Sequence, residues 1–259
     1  MKIIDYFKKK IIKKIIKKRR LFFIKTELDK LPKNNYPFGL NKKILEDTCK
    51  KYIANPELIP NISYPKIDIL LKKIFKKKQK IYFLDIGAQF IDNYLFLSKK
   101  NKNLEYIYFD QKINNKIVDK FSKNKKLKRF KSLIKIQDIK KYKINFVYFG
   151  SVIQYMNDYN EVINLISKKK PKFIFFSGTS LYKNLNKSRF VLKQVNVWPQ
   201  VNYCFFFQYK YFLELLEQYN YKLVFKRYNL NDRVINYSNI SKSLNIKINY
   251  TDLLFKFNG

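Results

Sequence analysis

Four apolar runs in this chain are each followed by the kind of polar residue that contacts a nucleoside. Asp85 and Gly87 end the first run, Asp110 ends the second, Asp138 follows the third, and Gly150-Ser151 end the fourth. A strand-to-helix turn near a cofactor needs glycine, and an acid at the next strand end accepts hydrogen bonds from ribose hydroxyls. An acid after the third strand is placed to read the adenine amino group. Singly, each residue is better explained as a helix cap or turn residue; together they indicate one nucleoside cleft.

The residues available for proton removal are few in kind. The chain has no histidine, so a general base must be Asp, Glu, Lys, Tyr or water. Tyr155 and Asp158 follow the fourth run, and Tyr155 is the candidate catalytic residue. A structural role explains Tyr155 equally well, because the chain has 21 tyrosines. Cys49 and Cys204 lack metal-ligand or redox spacing, which predicts packed thiols in a reducing compartment and no metal site.

Short apolar runs alternate with segments of helical length, and this order sets the expected fold. The predicted helices cover 112–122 and 157–169. Continuous apolar strands between helices predict a parallel sheet covered on both faces, an α/β doubly wound fold that binds its ligand at the carboxyl ends of the strands. The predicted strands are Ile81–Gly87, Tyr106–Asp110, Leu133–Ile136, Phe146–Gly150 and Phe173–Ser177.

The rest of the chain is assigned around this sheet. We predict a helical lead-in over residues 25–80 and one Rossmann-like domain over residues 81–259. Within that domain, we predict a longer irregular stretch over residues 178–206. A helix at about 208–219 and strands at 222–228 and 246–257 complete a mostly parallel sheet of seven strands.

Residues 1–24 predict a basic amphipathic helix. The first twenty residues contain ten Lys or Arg and one acid, and their apolar residues recur at three- and four-residue steps. This pattern is typical of a helix lying on an anionic membrane surface, although a helix docked on its own domain with a solvated basic face fits as well. A secretory signal is not indicated, because a continuous apolar stretch and a cleavage site are missing. We therefore expect a cytoplasmic protein, peripheral at the inner face of the membrane.

The formal net charge of +37 favours phosphate-bearing partners, either anionic lipid or nucleic acid. The same excess of Lys, Ile, Asn, Phe and Tyr is typical of an AT-rich genome, which explains much of the composition without any function. No zinc-finger spacing, aromatic RNA-binding motif or basic-zipper pattern is present. Specific nucleic-acid recognition is therefore not predicted.

From Leu84 to Phe257 the sequence resembles a family of class I (Rossmann-like) S-adenosylmethionine-dependent methyltransferases associated with bacterial surface-polysaccharide gene clusters. The order and spacing of the matching blocks cover roughly two-thirds of the chain. These blocks are LDIGAQFIDNY at 84–94, NFVYFGSVIQYMNDY at 145–159, KPKFIFFSGTSL at 170–181, QVNVWPQVNYCFFF at 194–207, FLELLEQYNYKLV at 212–224 and the closing LLFKF.

The resemblance implies S-adenosylmethionine as the cofactor and a glycan or membrane-linked glycan precursor as the methyl acceptor. It implies that Asp85, Gly87 and Ala88 form the first cofactor turn, with Asp110 at the ribose and Asp138 near adenine. Gly150 and Ser151, selected from the end of the fourth apolar run, complete the predicted cofactor set, while the resemblance implies that the segment from Ser151 to Tyr155 faces the acceptor. The implied acceptor-facing residues are Gln154, Tyr155, Gln194, Trp198 and Tyr203.

One departure from the family pattern keeps two alternatives open. The family turn is richer in glycine, whereas this chain has Ala88, Gln89, Phe90 and Ile91 there. Bulky side chains at these positions would crowd the methionine tail of the cofactor. The first alternative is thus a scaffold or interaction protein that keeps the fold without catalysis. The second, motivated by the charge, is an RNA methyltransferase.

Overall fold

A computed structural model describes residues 22–32, 42–55, 64–88, 90–195, 201–228, 240 and 244–259. The predicted membrane-binding segment 1–20 and the candidate Trp198 lie outside the described residues. The chain divides into two compact units. We call residues 39–150, 160–176 and 254–259 the parallel-sheet unit, and residues 1–38, 151–159 and 177–253 the mixed-sheet unit.

The regular elements follow one another along the chain in a largely alternating order. The strands are β1 (Phe22–Lys25), β2 (Ile81–Ile86), β3 (Leu104–Phe109), β4 (Phe130–Ser132), β5 (Phe146–Gly150), β6 (Phe173–Tyr182), β7 (Arg189–Val195), β8 (Val201–Gln208), β9 (Tyr221–Tyr228) and β10 (Ile248–Phe257). The helices are α1 (Lys42–Ala54), α2 (Tyr64–Ile74), α3 (Asp92–Lys100), α4 (Lys112–Asn124), α5 (Tyr159–Ser167) and α6 (Tyr209–Glu217), with short 3₁₀ helices over Ile136–Lys141 and Ile153–Tyr155.

The parallel-sheet unit has the strand order β4-β3-β2-β5-β6-β10, with the residues of β6 and β10 that belong to it. β2 pairs in parallel with β3 and with β5, and β3 pairs in parallel with β4. Within this unit the first strand, β2, lies in the middle of the sheet. β3 and β4 follow it towards one edge, and β5 then lies on the other side of β2. This reversal at β2 is the doubly wound arrangement, which brings the carboxyl ends of β2, β3 and β5 to one edge of the sheet.

Aromatic residues build much of the core of this unit. The ring of Phe83 stacks on Tyr106 at 5.3 Å and on Phe146 at 5.2 Å between centroids. Three neighbouring parallel strands are thereby joined through one buried ring, since Phe83 is fully buried. Apolar residues of α1 to α4 pack against the same cluster, including Leu45, Leu71, Leu97 and Val118, all fully buried.

The mixed-sheet unit has the strand order β1-β7-β8-β6-β10-β9. β1 and β8 both pair antiparallel with β7, while β8 pairs in parallel with the end of β6. Its core contains Phe23 and Phe206, whose rings meet edge to face at 5.4 Å. Phe206 also stacks on Phe190 at 5.4 Å. The mixed-sheet unit therefore combines two antiparallel strand pairs with a parallel one.

The α/β class and the parallel pairing among β2, β3, β4 and β5 confirm the parallel part of the expected architecture. The seven-strand count is wrong, because the described residues contain ten strands and some pair antiparallel. Most of the supposedly irregular stretch 178–206 is strand, namely the end of β6, β7 and most of β8. The third strand is β4, which ends before the predicted Leu133–Ile136, and residues 22–24 are strand rather than helix.

Among the residues that the structure describes, no helix is both long enough and apolar enough to cross a bilayer.

Candidate functional site

Asp85 lies near the end of β2 and is fully buried. Its Oδ2 atom accepts a 2.8 Å hydrogen bond from Nδ2 of Asn93, in the first turn of α3, and a second from the hydroxyl of Tyr106 on β3. The carboxylate therefore ties the central strand to its neighbour and to the helix that follows it. Its position at the carboxyl end of a parallel strand is where a doubly wound sheet binds ligands.

Two oxygens beside this contact have no hydrogen-bond partner among the described residues. They are Oδ1 of Asp85 and Oδ1 of Asn93, and Asn93 is 7% exposed. An unsatisfied buried acceptor costs about 1–3 kcal/mol, so native proteins seldom retain one without a reason. Two such acceptors on side chains that contact one another fit a ligand that supplies N–H or O–H donors.

Burial also changes the acidity of this cluster. It raises the pKa of Asp85 to about 7, although the hydrogen bonds from Tyr106 and Asn93 act in the opposite direction. Burial likewise raises the pKa of Asp92, the first residue of α3, to about 6. Perturbed carboxyl groups at the end of a central strand are typical of functional sites.

The turn after β2 combines a glycine in an unusual backbone conformation with large side chains that pack into the core. Gly87 has a φ of +72°, a conformation that a residue with a Cβ rarely adopts. Ala88 and Ile91 are buried in the hydrophobic core. Phe90 packs on that core and its ring meets Tyr52 of α1 edge to face at 6.2 Å. The large side chains at 90 and 91 thus pack into the fold; Gln89 lies outside the described residues.

Asp110 directly follows β3 and is half-buried. Its Oδ1 accepts a 2.7 Å bond from the backbone N of Gln111, and its Oδ2 accepts a 3.1 Å bond from Nδ2 of Asn114. Asp110 therefore organises the start of α4. A carboxylate offers about four acceptor positions, so these two bonds are compatible with the predicted contact to ribose.

Asp138 does not follow β4 directly but lies in the 3₁₀ helix Ile136–Lys141. Its carboxylate accepts a 3.3 Å bond from the backbone N of Lys135 and forms a 3.0 Å ion pair with Lys141. The hydrogen bond from Lys141 lowers the pKa of Asp138. The observed role of Asp138 is to cap this short helix, and its contact with adenine stays a prediction.

Gly150 ends β5, and the ring of Tyr148 lies close above it. A Cβ built on Gly150 would stand 2.9 Å from a ring carbon of Tyr148. Glycine is therefore needed here for the approach of a neighbouring side chain. This packing does not test the predicted contact of Gly150 with a cofactor, which stays a prediction.

Two of the predicted acceptor-facing residues meet in the mixed-sheet unit. The hydroxyl of Tyr155 donates a 2.8 Å hydrogen bond to Oε1 of Gln194 on β7. Gln194 is 6% exposed and lies opposite Phe23 and Asn202 in the strand register. Tyr203 is half-buried on β8, opposite Lys193. Trp198, the remaining member of this set, is outside the described residues.

Ser151 is held in a strained conformation by a second polar cluster in the same unit. Its φ is +57°, unusual for a residue other than glycine, and its Oγ accepts a 2.7 Å bond from the hydroxyl of Tyr250. Gly178, with a φ of +64°, leaves the space for this contact. A Cβ on Gly178 would lie 2.4 Å from Oγ of Ser151 and 2.4 Å from the hydroxyl of Tyr250. Burial raises the pKa of Tyr250 to about 12.

Gln154 and Asp252 complete this cluster. Nε2 of Gln154 donates to the carbonyl oxygens of Ser151, at 3.0 Å, and Gly178, at 3.2 Å. Its own Oε1 is buried and has no partner among the described residues. Asp252, fully buried, accepts bonds from the backbone N of Gly178 at 2.9 Å and from Arg227 at 2.8 Å. Strained residues inside polar networks of this kind cluster at functional sites.

The hydrogen-bond partners that define both clusters are not evident from the sequence pattern. Asn93 and Tyr106 are separated from Asp85 by 8 and 21 residues, and Tyr250 from Ser151 by 99. A signal was available for Asn93, since Asp92-Asn93 is a polar pair opening a helix just after the predicted cofactor turn. Gly178 carried another, because a chain with only 5 glycines places one inside an apolar strand.

No protein-family model and no curated protein sequence matches the chain. Solved structures do match, at low identity.

One match is the O-methyltransferase from a trans-AT PKS multienzyme of Brevibacillus brevis, in complex with S-adenosyl-L-homocysteine. Its TM-score is 0.55 at 13% identity, over 90% of this chain and 85% of that one. Another is the N-terminal domain of EvdMO1 in the presence of S-adenosylhomocysteine and D-fucose, with a TM-score of 0.53 at 8% identity, over 77% and 85%. A third is 1,6-didemethyltoxoflavin-N1-methyltransferase of Burkholderia thailandensis, at 0.51 and 9%, over 92% and 99%.

These matches establish that the chain has the α/β fold of S-adenosylmethionine-dependent methyltransferases. At such identities the likeness concerns the fold, which hosts more than one chemistry. The function must be argued from the residues of the site.

Proposed function

We propose that this protein is an S-adenosylmethionine-dependent methyltransferase. The observation that carries the proposal is the pair of unsatisfied buried acceptors, Oδ1 of Asp85 and Oδ1 of Asn93, at the carboxyl end of the central strand of a methyltransferase-like fold. The α-ammonium group of the methionyl part of the cofactor carries three N–H donors and a positive charge. It therefore matches two neighbouring acceptors, one of which is a carboxylate.

The residues of the parallel-sheet unit fit the remainder of the cofactor. Gly87 gives the turn a backbone conformation open to only a few residue types, and Asp110 brings a half-buried carboxylate to the next strand end. In this proposal Asp110 contacts the ribose. Asp138 contacts adenine through the carboxylate lone pairs that its bonds to Lys135 and Lys141 do not use. The packing of Phe90 on Tyr52 supports catalytic competence over a crowded, non-catalytic turn.

When bound, S-adenosylmethionine supplies a methyl group already activated by a sulfonium. This chain then has to position an acceptor atom for in-line attack, and the proton of that atom leaves to water. We assign the contact with the acceptor to Tyr155. Its hydroxyl donates its hydrogen to Gln194, so the phenol oxygen keeps lone pairs that can accept a hydrogen bond from an incoming acceptor hydroxyl. Gln194 then acts as a positioning residue.

Thermal unfolding of the full chain with and without ligand tests the assignment of the cofactor. A ligand that binds only the folded state raises the melting temperature with concentration. We expect S-adenosylmethionine and S-adenosylhomocysteine to raise it, and adenosine to leave it unchanged, because adenosine lacks the ammonium-bearing methionyl tail and carries no phosphate. An equal rise with adenosine, or no rise with any of the three, would count against the proposal.

We further propose that the methyl acceptor is a glycan or a membrane-linked glycan precursor. The sequence blocks that resemble a glycan-associated family support this assignment, and residues 1–20 would hold the enzyme at an anionic membrane where such precursors are anchored. The test is incubation of the full chain with methyl-labelled cofactor and separate pools of lipid-linked glycan and RNA. Label in the glycan pool supports the proposal. Label in RNA favours the RNA methyltransferase, and bound cofactor without transfer to either pool favours the scaffold.

A further inference from the structure

We propose that the mixed-sheet unit contains a second binding site, a cleft that takes a phosphate group. The cleft lies where the end of β6, the start of α6, β9 and β10 converge. Its polar lining consists chiefly of Lys183, Tyr209, Lys226, Tyr228, Asn249 and Thr251. None of these residues belongs to the proposed methyl-transfer site.

Two ammonium groups of the cleft share one aromatic ring. Nζ of Lys226 lies 3.9 Å from the ring centroid of Tyr209, and Nζ of Lys183 lies 5.6 Å from the same centroid. Lys226 is also 5.3 Å from the ring of Tyr228, so it stands between two tyrosines. Contacts with ring faces hold both cations in place. The two ammonium nitrogens are therefore at most about 10 Å apart, and both charges add to the positive potential over the cleft.

The lining offers hydrogen-bond donors and no negative charge. Among the residues described as lining the cleft there is no Asp or Glu, so neither ammonium is neutralised from within it. The phenol groups of Tyr209 and Tyr228 and the amide of Asn249 add neutral donors. A site that combines two cations with neutral donors selects an anion with several acceptor oxygens, as phosphate has.

The size of the cleft restricts the ligand further. The cleft is shallow, and the roughly 210 Å³ of empty space along it includes open solvent. Pockets that enclose drug-sized molecules usually measure roughly 300–1,000 Å³, so this cleft does not enclose a ligand of that size. A small anionic group can lie across its mouth near the two ammonium groups, with any attached chain extending into solvent. The ligand is thus a phosphate ion or the terminal phosphate of a larger ester.

The test is calorimetric titration of the full chain with two probes, inorganic phosphate and soluble short-chain phosphatidic acid. The variant Lys183→Gln/Lys226→Gln removes both charges of the cleft. The control Lys99→Gln/Lys120→Gln removes two exposed charges from α3 and α4, so both proteins have the same net charge. We expect saturable binding that weakens at least about tenfold in the cleft variant and changes less than about twofold in the control. The single variant Lys183→Gln, at an exposed position, should give an intermediate loss.

Comparison of the probes identifies the source of the phosphate. Comparable binding of both indicates recognition of the phosphate group alone, and tighter binding of phosphatidic acid indicates a lipid headgroup. Binding of neither probe, or an equal loss in the cleft variant and the control, would overturn the proposal. Methyl transfer is not part of the readout, so this test stands or fails independently of the proposed function.

Discussion

Nδ2 of Asn93 donates a 2.8 Å hydrogen bond to Oδ2 of Asp85, and the same two side chains each bury a second oxygen that receives no hydrogen bond from the described residues. The protein therefore satisfies only part of the hydrogen-bonding capacity of these two side chains. Leaving two acceptors unpaired opposes folding by a few kcal/mol in total. A bound ammonium group would satisfy both, so this contact links the stability of the fold to occupancy of the proposed cofactor site.

The Asp85→Asn variant should lose part of the pH dependence of stability. Burial raises the pKa of Asp85 from 3.8 to about 7, so the folded state binds more protons than the unfolded state between these values. The free energy of unfolding contributed by Asp85 therefore falls as pH rises through this window and is level above it. Removing the carboxyl group removes this decline, which is on the order of 2–4 kcal/mol.

Urea unfolding at pH 5 and pH 8 measures this effect. The control is Asp119→Asn, which changes a carboxylate that is paired with Lys123 and partly exposed. Asp92, with a pKa raised to about 6, contributes in the same direction and is present in all three proteins. A wild-type protein and an Asp85→Asn variant with the same pH dependence would show that Asp85 is ionised in the folded protein throughout.

Gly178→Ala should destabilise the mixed-sheet unit severely. The added Cβ would clash with Ser151 and Tyr250, and alanine would have to adopt a φ of +64°. Strain and overpacking together cost about 3 kcal/mol or more. Chemical denaturation with Gly259→Ala as control provides the measurement, because the Cβ at 259 meets only the ring of Phe257, at 3.0 Å. Equal stability of the two variants would mean that the contact between Ser151 and Tyr250 can relax without cost.

Tyr155→Phe separates a chemical role from a structural one. If Tyr155 positions the acceptor hydroxyl, turnover should fall about 100-fold, the cost typical of a misplaced reactant, while cofactor affinity is unchanged. The lost bond to Gln194 alone would reduce stability by about 1 kcal/mol and leave turnover intact. Tyr219→Phe, in the turn before β9, controls for removal of a hydroxyl. Unchanged turnover in Tyr155→Phe would end its candidacy.

The parallel strands were predictable because each is a continuous apolar run bounded by polar or flexible residues. Phe146–Gly150 was even predicted with its observed bounds. β7 was missed because its sequence, RFVLKQV, mixes polar and apolar residues, and its partner β8 is required before it can form a pair. Antiparallel pairing over such distances depends on tertiary contacts, which spacing in the sequence does not encode.

For the candidate site, the residues at strand ends were predictable from the sequence, whereas their hydrogen-bond partners were not. Strand ends mark positions, so Asp85, Gly87 and Asp110 could be selected from the sequence alone. Their hydrogen-bond partners come from other elements, and only the folded chain brings Asn93 and Tyr106 to Asp85. Asp138 caps a 3₁₀ helix, a role that an acid after a strand can have without contacting a base.

Calorimetric titration of the full chain with S-adenosylhomocysteine tests the central claim most directly. Wild-type protein should bind one equivalent with micromolar affinity. Asp110→Ala should abolish binding, while Asp119→Ala, a matched loss of one carboxylate on α4, should leave it unchanged. If the folded wild-type protein fails to bind at millimolar ligand, or if Asp110→Ala binds as well as Asp119→Ala, the cleft at the ends of β2 and β3 is not a cofactor site.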